Sequence, residues 1–187
     1  MRVKISNVAN LPTRFGNFQI QTFAEGIKEH LVIFKTPLKE DPLVRIHSEC
    51  LTGDAIGSLK CDCRDQLEYA LKAVGEQGGM VIYLRQEGRN IGLLNKTNAY
   101  ALQDIGYDTI EANHQLGFAA DERSYEVVEF ILAHFGIQKI HLLTNNPKKI
   151  ESLDSIEILS REPIVIASNE HNQKYLRTKK EQMGHLL

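Results

Sequence analysis

Several things are scarce in this 187-residue chain, and each scarcity excludes a class of protein. Long hydrophobic runs are missing: the longest, Met80-Val81-Ile82-Tyr83-Leu84, is far too short to cross a bilayer. The N-terminus, MRVKISNVANLP, lacks the apolar stretch that a signal peptide needs. Neither sign of charge dominates, with 22 Lys plus Arg against 24 Asp plus Glu and a net charge of -2. That balance argues against a protein that coats nucleic acid or an anionic membrane, though local basic clusters can still hold a small phosphorylated ligand. Glycine-rich phosphate loops are absent as well. No G-x-G-x-x-G occurs, and Gly88-x3-Gly92-x3-Lys96 has the wrong spacing for a Walker A loop. There are no internal repeats, low-complexity stretches or obvious linkers. With 42% hydrophobic and 25% charged residues, the expectation is a soluble, intracellular globular protein of one domain.

Cysteine is also rare, yet its three copies, Cys50, Cys61 and Cys63, crowd into one short stretch. An odd count with no sign of export argues against a disulfide framework. Buried thiols acting as small hydrophobes are the plainer reading; a metal site is the sharper one, because clustered thiolates favour zinc among common cellular metals. A closed structural site needs four protein ligands. His47, or a distant histidine such as His114, would have to supply the fourth. With neither, zinc keeps a position for water and lowers its pKa to about 7, which favours catalysis. His47-Ser48-Glu49-Cys50 also resembles the His-x-Glu of zinc nucleobase deaminases, but Cys61-Asp62-Cys63 lacks the Pro-Cys-x-x-Cys that should follow.

Hydrophobic periodicity places these residues on elements. Segments 18–23, 30–35 and 44–48 read as strands, the last delivering the chain to Glu49 and Cys50. Leu67, Ala70, Leu71 and Val74 recur at helical spacing up to Gly78. Segment 80–84 reads as a buried strand, 93–105 as a helix, and Val128, Ile131, Leu132 and Phe135 as another helix stopped by Gly136. Segment 140–144 is a further buried strand, followed by Asn145-Asn146-Pro147 with proline at the first helical position. Two short strands, 156–159 and 164–167, close the pattern. A polar tail follows from about residue 168, with a helix through Tyr175 and Leu176. Strands first, then alternating strand and helix, predict an α/β protein with a mixed sheet and helices on both faces.

Polar clusters fall where strands give way to loops, the usual ligand edge of such a sheet. Arg85-Gln86-Glu87-Gly88-Arg89 follows one strand; Thr144-Asn145-Asn146-Pro147-Lys148-Lys149 follows another and opens a helix. Ammonium groups beside a helix N-terminus suit an anion. Each cation taken alone reads equally well as a solvated surface charge, but their joint placement points to a phosphorylated substrate. Asp121, just before the 128 helix, reads by spacing as an N-cap.

Four of these segments together resemble GTP cyclohydrolase II: Arg45-Ile46-His47-Ser48-Glu49-Cys50-Leu51-Thr52-Gly53-Asp54, Cys61-Asp62-Cys63, residues 85–93 and residues 144–149. Residues 99–104 and 106–109 resemble that family as well, and the likeness runs from Leu11 to His185. Two departures, Arg64-Asp65 after Cys63 and a short segment before Asp41, touch no motif position. The resemblance implies a cytoplasmic, homodimeric riboflavin-pathway hydrolase with a three-layer αβα fold, using one Zn2+ per subunit and Mg2+. Its substrate would be GTP, with no nucleic-acid or membrane partner. Products would be formate, pyrophosphate and 2,5-diamino-6-(5-phospho-ribosylamino)pyrimidin-4(3H)-one. By resemblance the zinc ligands fall on Cys50, Cys61 and Cys63. Substrate contacts fall on Arg45, Ile46, His47, Ser48, Glu49, Gln66, Glu87, Gly88, Arg89, Thr109, Thr144 and Lys149. The proton acceptor falls on Asp121, a proposed nucleophile on Arg123 and a catalytic tyrosine on Tyr100. Glu87 also has the chemistry to read the donor edge of guanine. Two other functions compete: a zinc-dependent deaminase, and a non-catalytic nucleotide-binding module with closed structural zinc.

Overall fold

A computed structural model describes residues 2–186. Eight strands among these residues form one mixed sheet: β1 (Val3–Ile5), β2 (Ala9–Thr13), β3 (Gly16–Glu25), β4 (Lys28–Lys35), β5 (Leu43–Ser48), β6 (Gly79–Leu84), β7 (Lys139–Leu143) and β8 (Glu157–Glu162). Their order across the sheet is β1-β3-β4-β6-β5-β7-β8, with β2 also paired to β3. Strands β6, β5, β7 and β8 run parallel, whereas β4, β3 and the N-terminal pair are antiparallel.

Seven helices among the described residues accompany them: α1 (Leu51–Asp54), α2 (Cys63–Gln77), α3 (Gly92–Asp104), α4 (Thr109–Gln115), α5 (Glu126–His134), α6 (Pro147–Glu151) and α7 (Gln173–Met183). The alternation of the central strands sorts side chains between two cores. Val44, Ile46, Met80, Ile82, Ile140 and Leu142 meet Val127, Val128, Ile131 and Leu132 of α5 on one face. Leu43, Val81 and Leu143 meet Ala70 and Val74 of α2 on the other. Each fully buried Leu or Ile contributes about 1.5–3 kcal/mol of transfer free energy. Helices thus cover both faces of the mixed sheet, as the periodicity predicts.

One expected strand does not form. Residues 164–167 are irregular, because the Asn145 side chain satisfies both backbone groups of Ile164. The Ile164 N–H donates to Asn145 Oδ1 at 3.1 Å, and Asn145 Nδ2 donates to the Ile164 carbonyl. The amide stands in for a neighbouring strand, and the sheet ends at β8. The polar stretch from 168 also differs from a loose tail: its helix, α7, lies against the body of the protein. Among the described residues no helix is long and apolar enough to cross a membrane.

The chain leaves β5 through α2 to β6 on one side, then returns to β7 on the other side of β5. That reversal opens a crevice at the carboxyl ends of β5, β6 and β7, the place where open α/β sheets bind ligands.

Candidate active site

The crevice forms one cleft lined by side chains from β5, α2, α3, α6 and α7. Of the residues expected from the sequence, Arg45, His47, Ser48, Glu49, Cys50, Cys61, Cys63, Gln66, Glu87, Gly88, Arg89, Tyr100, Thr109, Arg123, Thr144 and Lys149 all line it. Ile46 does not. Strand alternation turns its side chain into the α5 core, and its carbonyl accepts from Lys149 Nζ at 2.7 Å. Asp121 stands behind the lining and reaches the cleft through Arg123.

The three cysteines converge from different elements: Cys50 follows β5 and caps α1, Cys61 ends a loop, and Cys63 opens α2. Their Sγ atoms all lie within 4.8 Å of one another, with Cys50 and Cys61 3.7 Å apart. Thiolates bound tetrahedrally to zinc at ~2.3 Å would be ~3.8 Å apart, so the donor set and its spacing fit that ion. Among the described residues no fourth Cys, His, Asp or Glu joins the group. His47 is committed elsewhere, with Nε2 3.2 Å from both Asp54 oxygens, and burial holds its pKa down. This arrangement supports neither the deaminase-like use of His47 nor a closed four-ligand site.

Gly53 makes the convergence possible. A methyl group at that position would lie 2.8 Å from Cys61 Sγ and 3.0 Å from Cys50 Sγ. Gly53→Ala is therefore expected to push the thiols apart and weaken metal affinity by roughly 10–100-fold, the range for residues supporting a ligand set. Zinc per chain, titrated against a competing chelator, checks this.

Two buried carboxylates brace the cluster. Asp54 accepts from the Cys50 N–H at 3.0 Å and the Tyr83 hydroxyl at 2.7 Å. Glu87 accepts from the Leu51 N–H at 2.6 Å, the Gly88 N–H at 2.9 Å and Lys96 Nζ at 2.8 Å. With both oxygens engaged, Glu87 is a brace, and its bonds do not describe the guanine-reading role its chemistry suggested. Lys96 Nζ also lies 3.1 Å from Cys50 Sγ. Hydrogen bonds from Cys61 and then Cys63, helped by the Lys96 charge, pull the Cys50 thiol far below its usual pKa. Cys61 is pushed up to about 11, chiefly by its bond to Cys50. The Lys96 ammonium beside its sulfur favours the thiolate form at Cys50.

The opposite wall is cationic. Arg123 makes a bidentate pair with Asp121, Nε to Oδ1 at 2.8 Å and Nη2 to Oδ2 at 2.6 Å, while Nη1 reaches toward Ser48 Oγ at 3.4 Å. Burial opposes the charge on Arg123, but the Asp121 pair outweighs it and raises the pKa further. Arg45 donates to the Leu143 carbonyl at 3.0 Å and to Gln66 Oε1 at 2.6 Å. Burial lowers its pKa to about 10, which still leaves it charged at neutral pH. Lys149 is pushed well below the ordinary lysine value, first by burial and then by the charges of Arg45, Arg123 and Lys179. Arg89 adopts a left-handed backbone, with φ of 60°, and is held by a bond from Nη1 to the Ala120 carbonyl at 3.0 Å. A non-glycine residue there is strained, a feature that clusters at ligand sites. Tyr100 lies between Lys60 and Lys96, 5.0 Å and 5.6 Å from its ring, and burial keeps its phenol protonated.

Sequence reasoning passed over Lys60, Lys96, Asn113, Tyr175, Lys179 and His185, which also line the cleft. Most sit on helices, where a single charge in sequence reads as solvent-facing.

A thiolate cluster able to hold a metal and a cationic wall sharing one crevice define the site of an enzyme for an anionic substrate. The family model for GTP cyclohydrolase II matches residues 4–163, and the chain belongs to that family. It is 66% identical over 187 residues to the GTP cyclohydrolase-2 of Campylobacter hominis, covering all of this chain and 97% of that one. It is 68% identical over 190 residues to the GTP cyclohydrolase-2 of Campylobacter fetus subsp. fetus, again with 100% and 97% covered. For the GTP cyclohydrolase-2 of Helicobacter pylori strain Shi470 the identity is 58%, covering 100% of this chain and 99% of that one. A solved two-domain 3,4-dihydroxy-2-butanone 4-phosphate synthase from A. baumannii aligns over 88% of this chain and 40% of its own, with 18% identity and a TM-score of 0.46.

Proposed function

We propose that this chain, as one catalytic domain over residues 1–187, converts GTP to formate, pyrophosphate and 2,5-diamino-6-(5-phospho-ribosylamino)pyrimidin-4(3H)-one, the first step of riboflavin biosynthesis. The observation that carries this reading is the opening of the thiolate cluster and the cationic wall into one cleft. A ring-opening hydrolysis and a phosphate cleavage on one nucleotide need both chemistries within the length of that nucleotide. Membership of the family supplies the substrate.

Cys50, Cys61 and Cys63 would hold Zn2+, which when bound supplies the Lewis acidity that makes water nucleophilic near neutral pH. The work of the chain's own residues is to place guanine C8 beside that site. Glu87, Lys96 and Asp54 fix the Cys50 loop, and the protonated Tyr100 phenol donates a hydrogen bond to the substrate next to the cluster. Arg45, Arg89, Arg123 and Lys149 would receive the triphosphate, and Mg2+ bound with it would offset part of its negative charge. Asp121 has both oxygens on Arg123, and its own pKa is lowered by that pair against the effect of burial. So weak a base serves better to aim the guanidinium than to accept a proton. Ser48, Glu49, Gln66, Thr109 and Thr144 complete the substrate contacts. The functional unit we infer is a cytoplasmic homodimer.

Formate and pyrophosphate released from GTP with Mg2+, before and after zinc is stripped and restored, test the assignment. Equal yields of both products, with formate lost on stripping and regained with zinc, are expected. Release of ammonia with the purine ring intact would make the chain a deaminase, and no turnover in the zinc-loaded protein would leave only a binding module.

A further inference from the structure

Helix α7 lies beyond residues 4–163, where the family match ends, and the reaction above gives it no role. It nevertheless forms a wall of the cleft. Tyr175, Lys179 and Met183, with His185 just after the helix, face the same space as Arg123 and Lys149. Its seating is specific. Lys179 Nζ donates to Asp62 Oδ1 at 2.9 Å and lies 4.3 Å from the centroid of the Tyr175 ring. Asp62 stands between two cluster cysteines. Its second oxygen accepts from Gln66 Nε2 at 2.5 Å, and Gln66 Oε1 in turn accepts from Arg45 Nη2. At the far end the Leu186 N–H donates to the Asn145 carbonyl at 2.8 Å, directly behind β7. A helix that merely decorated the surface would leave its lysines in water, yet the Lys179 side chain is only 12% exposed.

The charges explain what this wall is for. Arg45, Arg89, Arg123, Lys149 and Lys179 converge on one space, while the nearby carboxylates are already engaged: Asp121 by Arg123 and, at 3.9 Å, by Lys148, and Asp62 by Lys179 and Gln66. The repulsion is visible in Lys149, whose charge is disfavoured by Arg45, Arg123 and Lys179 in turn after burial. His185 feels Lys179, Arg123, Lys149 and Arg89, which together with burial keep it neutral. Such a cluster is stabilised by an anion of several charges, and one of its members, Lys179, comes from the C-terminal segment.

We propose that α7 completes the phosphate subsite, with Lys179 binding the polyphosphate of the substrate directly and Asp62 holding that ammonium in place while the cleft lacks an anion. The inference rests on the assignment of a nucleoside triphosphate as substrate. Guanine and the first phosphate would be held by the sheet edge, and the outer phosphates by α7.

Steady-state formate release, with inorganic pyrophosphate and GMP as competing inhibitors, tests it on the full-length zinc-loaded enzyme. Loss of one charge-assisted hydrogen bond predicts that Lys179→Gln raises the GTP KM and the pyrophosphate Ki by about tenfold or more. The GMP Ki should stay within about twofold, and Lys179→Arg should recover most of the loss. Removal of the competing carboxylate in Asp62→Asn should tighten pyrophosphate binding. The double variant Asp62→Asn/Lys179→Gln removes both buried charges together, so its weak pyrophosphate binding cannot be blamed on an unpaired Asp62. Equal weakening of GMP and pyrophosphate would reduce α7 to a structural prop, and unchanged constants would remove Lys179 from the subsite. A wild-type protein inert toward GTP, whose pyrophosphate binding still depends on Lys179, would sink the substrate assignment and leave the anion subsite standing.

Discussion

Replacing Cys63 by serine is expected to leave a folded protein that still binds GTP but releases no measurable formate. Cys63 opens α2, and its thiol is pushed well above the usual cysteine range by its bonds to Cys50 and Cys61 and by burial. A cation among the three sulfurs reverses that preference, because it favours the deprotonated form of every ligand. Serine keeps the shape and loses the chemistry: its hydroxyl stays protonated near neutral pH and is a poor ligand for a borderline-soft ion. Structural zinc binding of about 12 kcal/mol spread over four ligands puts each at roughly 3 kcal/mol, or a loss of about 200-fold in affinity for one. Bound zinc should fall accordingly, and formate release with it by at least the same factor. The cationic wall is built from other elements, so GTP affinity in Cys63→Ser should stay within about threefold of wild type. Zinc content, formate yield and nucleotide affinity measured on one preparation check all three. Full formate release from a zinc-free Cys63→Ser protein would overturn the metal assignment.

The sequence made this half of the site readable because its signals are local. Three thiols between positions 50 and 63 need no fold to be noticed, and Leu67, Ala70, Leu71 and Val74 announce the helix that begins at Cys63. The loops after β6 and β7 were legible for a similar reason, since charged residues directly after an apolar strand fall on the ligand edge of the sheet. What escaped depends on partners distant in the chain. Lys96 on α3 looks like a solvated helix lysine until the fold sets it 2.8 Å from Glu87 and 3.1 Å from Cys50. Asp62 looks like a spacer between cysteines until α7 arrives with Lys179. The strand expected at 164–167 failed through a side chain nineteen residues earlier in sequence, that of Asn145. One miss had a local signal: Asp108 and Glu111 form a capping box at the start of α4, a spacing visible in the sequence.

Arg123→Ala is expected to cut pyrophosphate release by about 100-fold or more while leaving bound zinc unchanged. The guanidinium is locked on Asp121 through two nitrogens, and Nη1 alone turns toward Ser48 and the cleft. A group so held presents a fixed positive edge to a phosphate at little entropic cost. It is also a poor nucleophile. Covalent attack needs a free lone pair on nitrogen, which the charged guanidinium lacks. The bidentate carboxylate moves the equilibrium further from the neutral form. Truncation to alanine removes the clamp and leaves Asp121, with a side chain only 3% exposed, as a buried carboxylate facing the phosphates. Breaking a buried pair in this way costs about 3–5 kcal/mol, so a second variant separates clamp loss from carboxylate repulsion. Asp121→Asn/Arg123→Ala removes both charges and should recover part of the lost activity; Arg123→Lys should retain a fraction of it, because one ammonium still neutralises phosphate. Rapid quenching of enzyme mixed with GTP labelled on the α-phosphorus distinguishes the two chemistries. The clamp predicts no label on Arg123 in the wild-type protein. A phosphoryl adduct mapped to Arg123, and absent from Arg123→Ala, would establish covalent attack and overturn the electrostatic role.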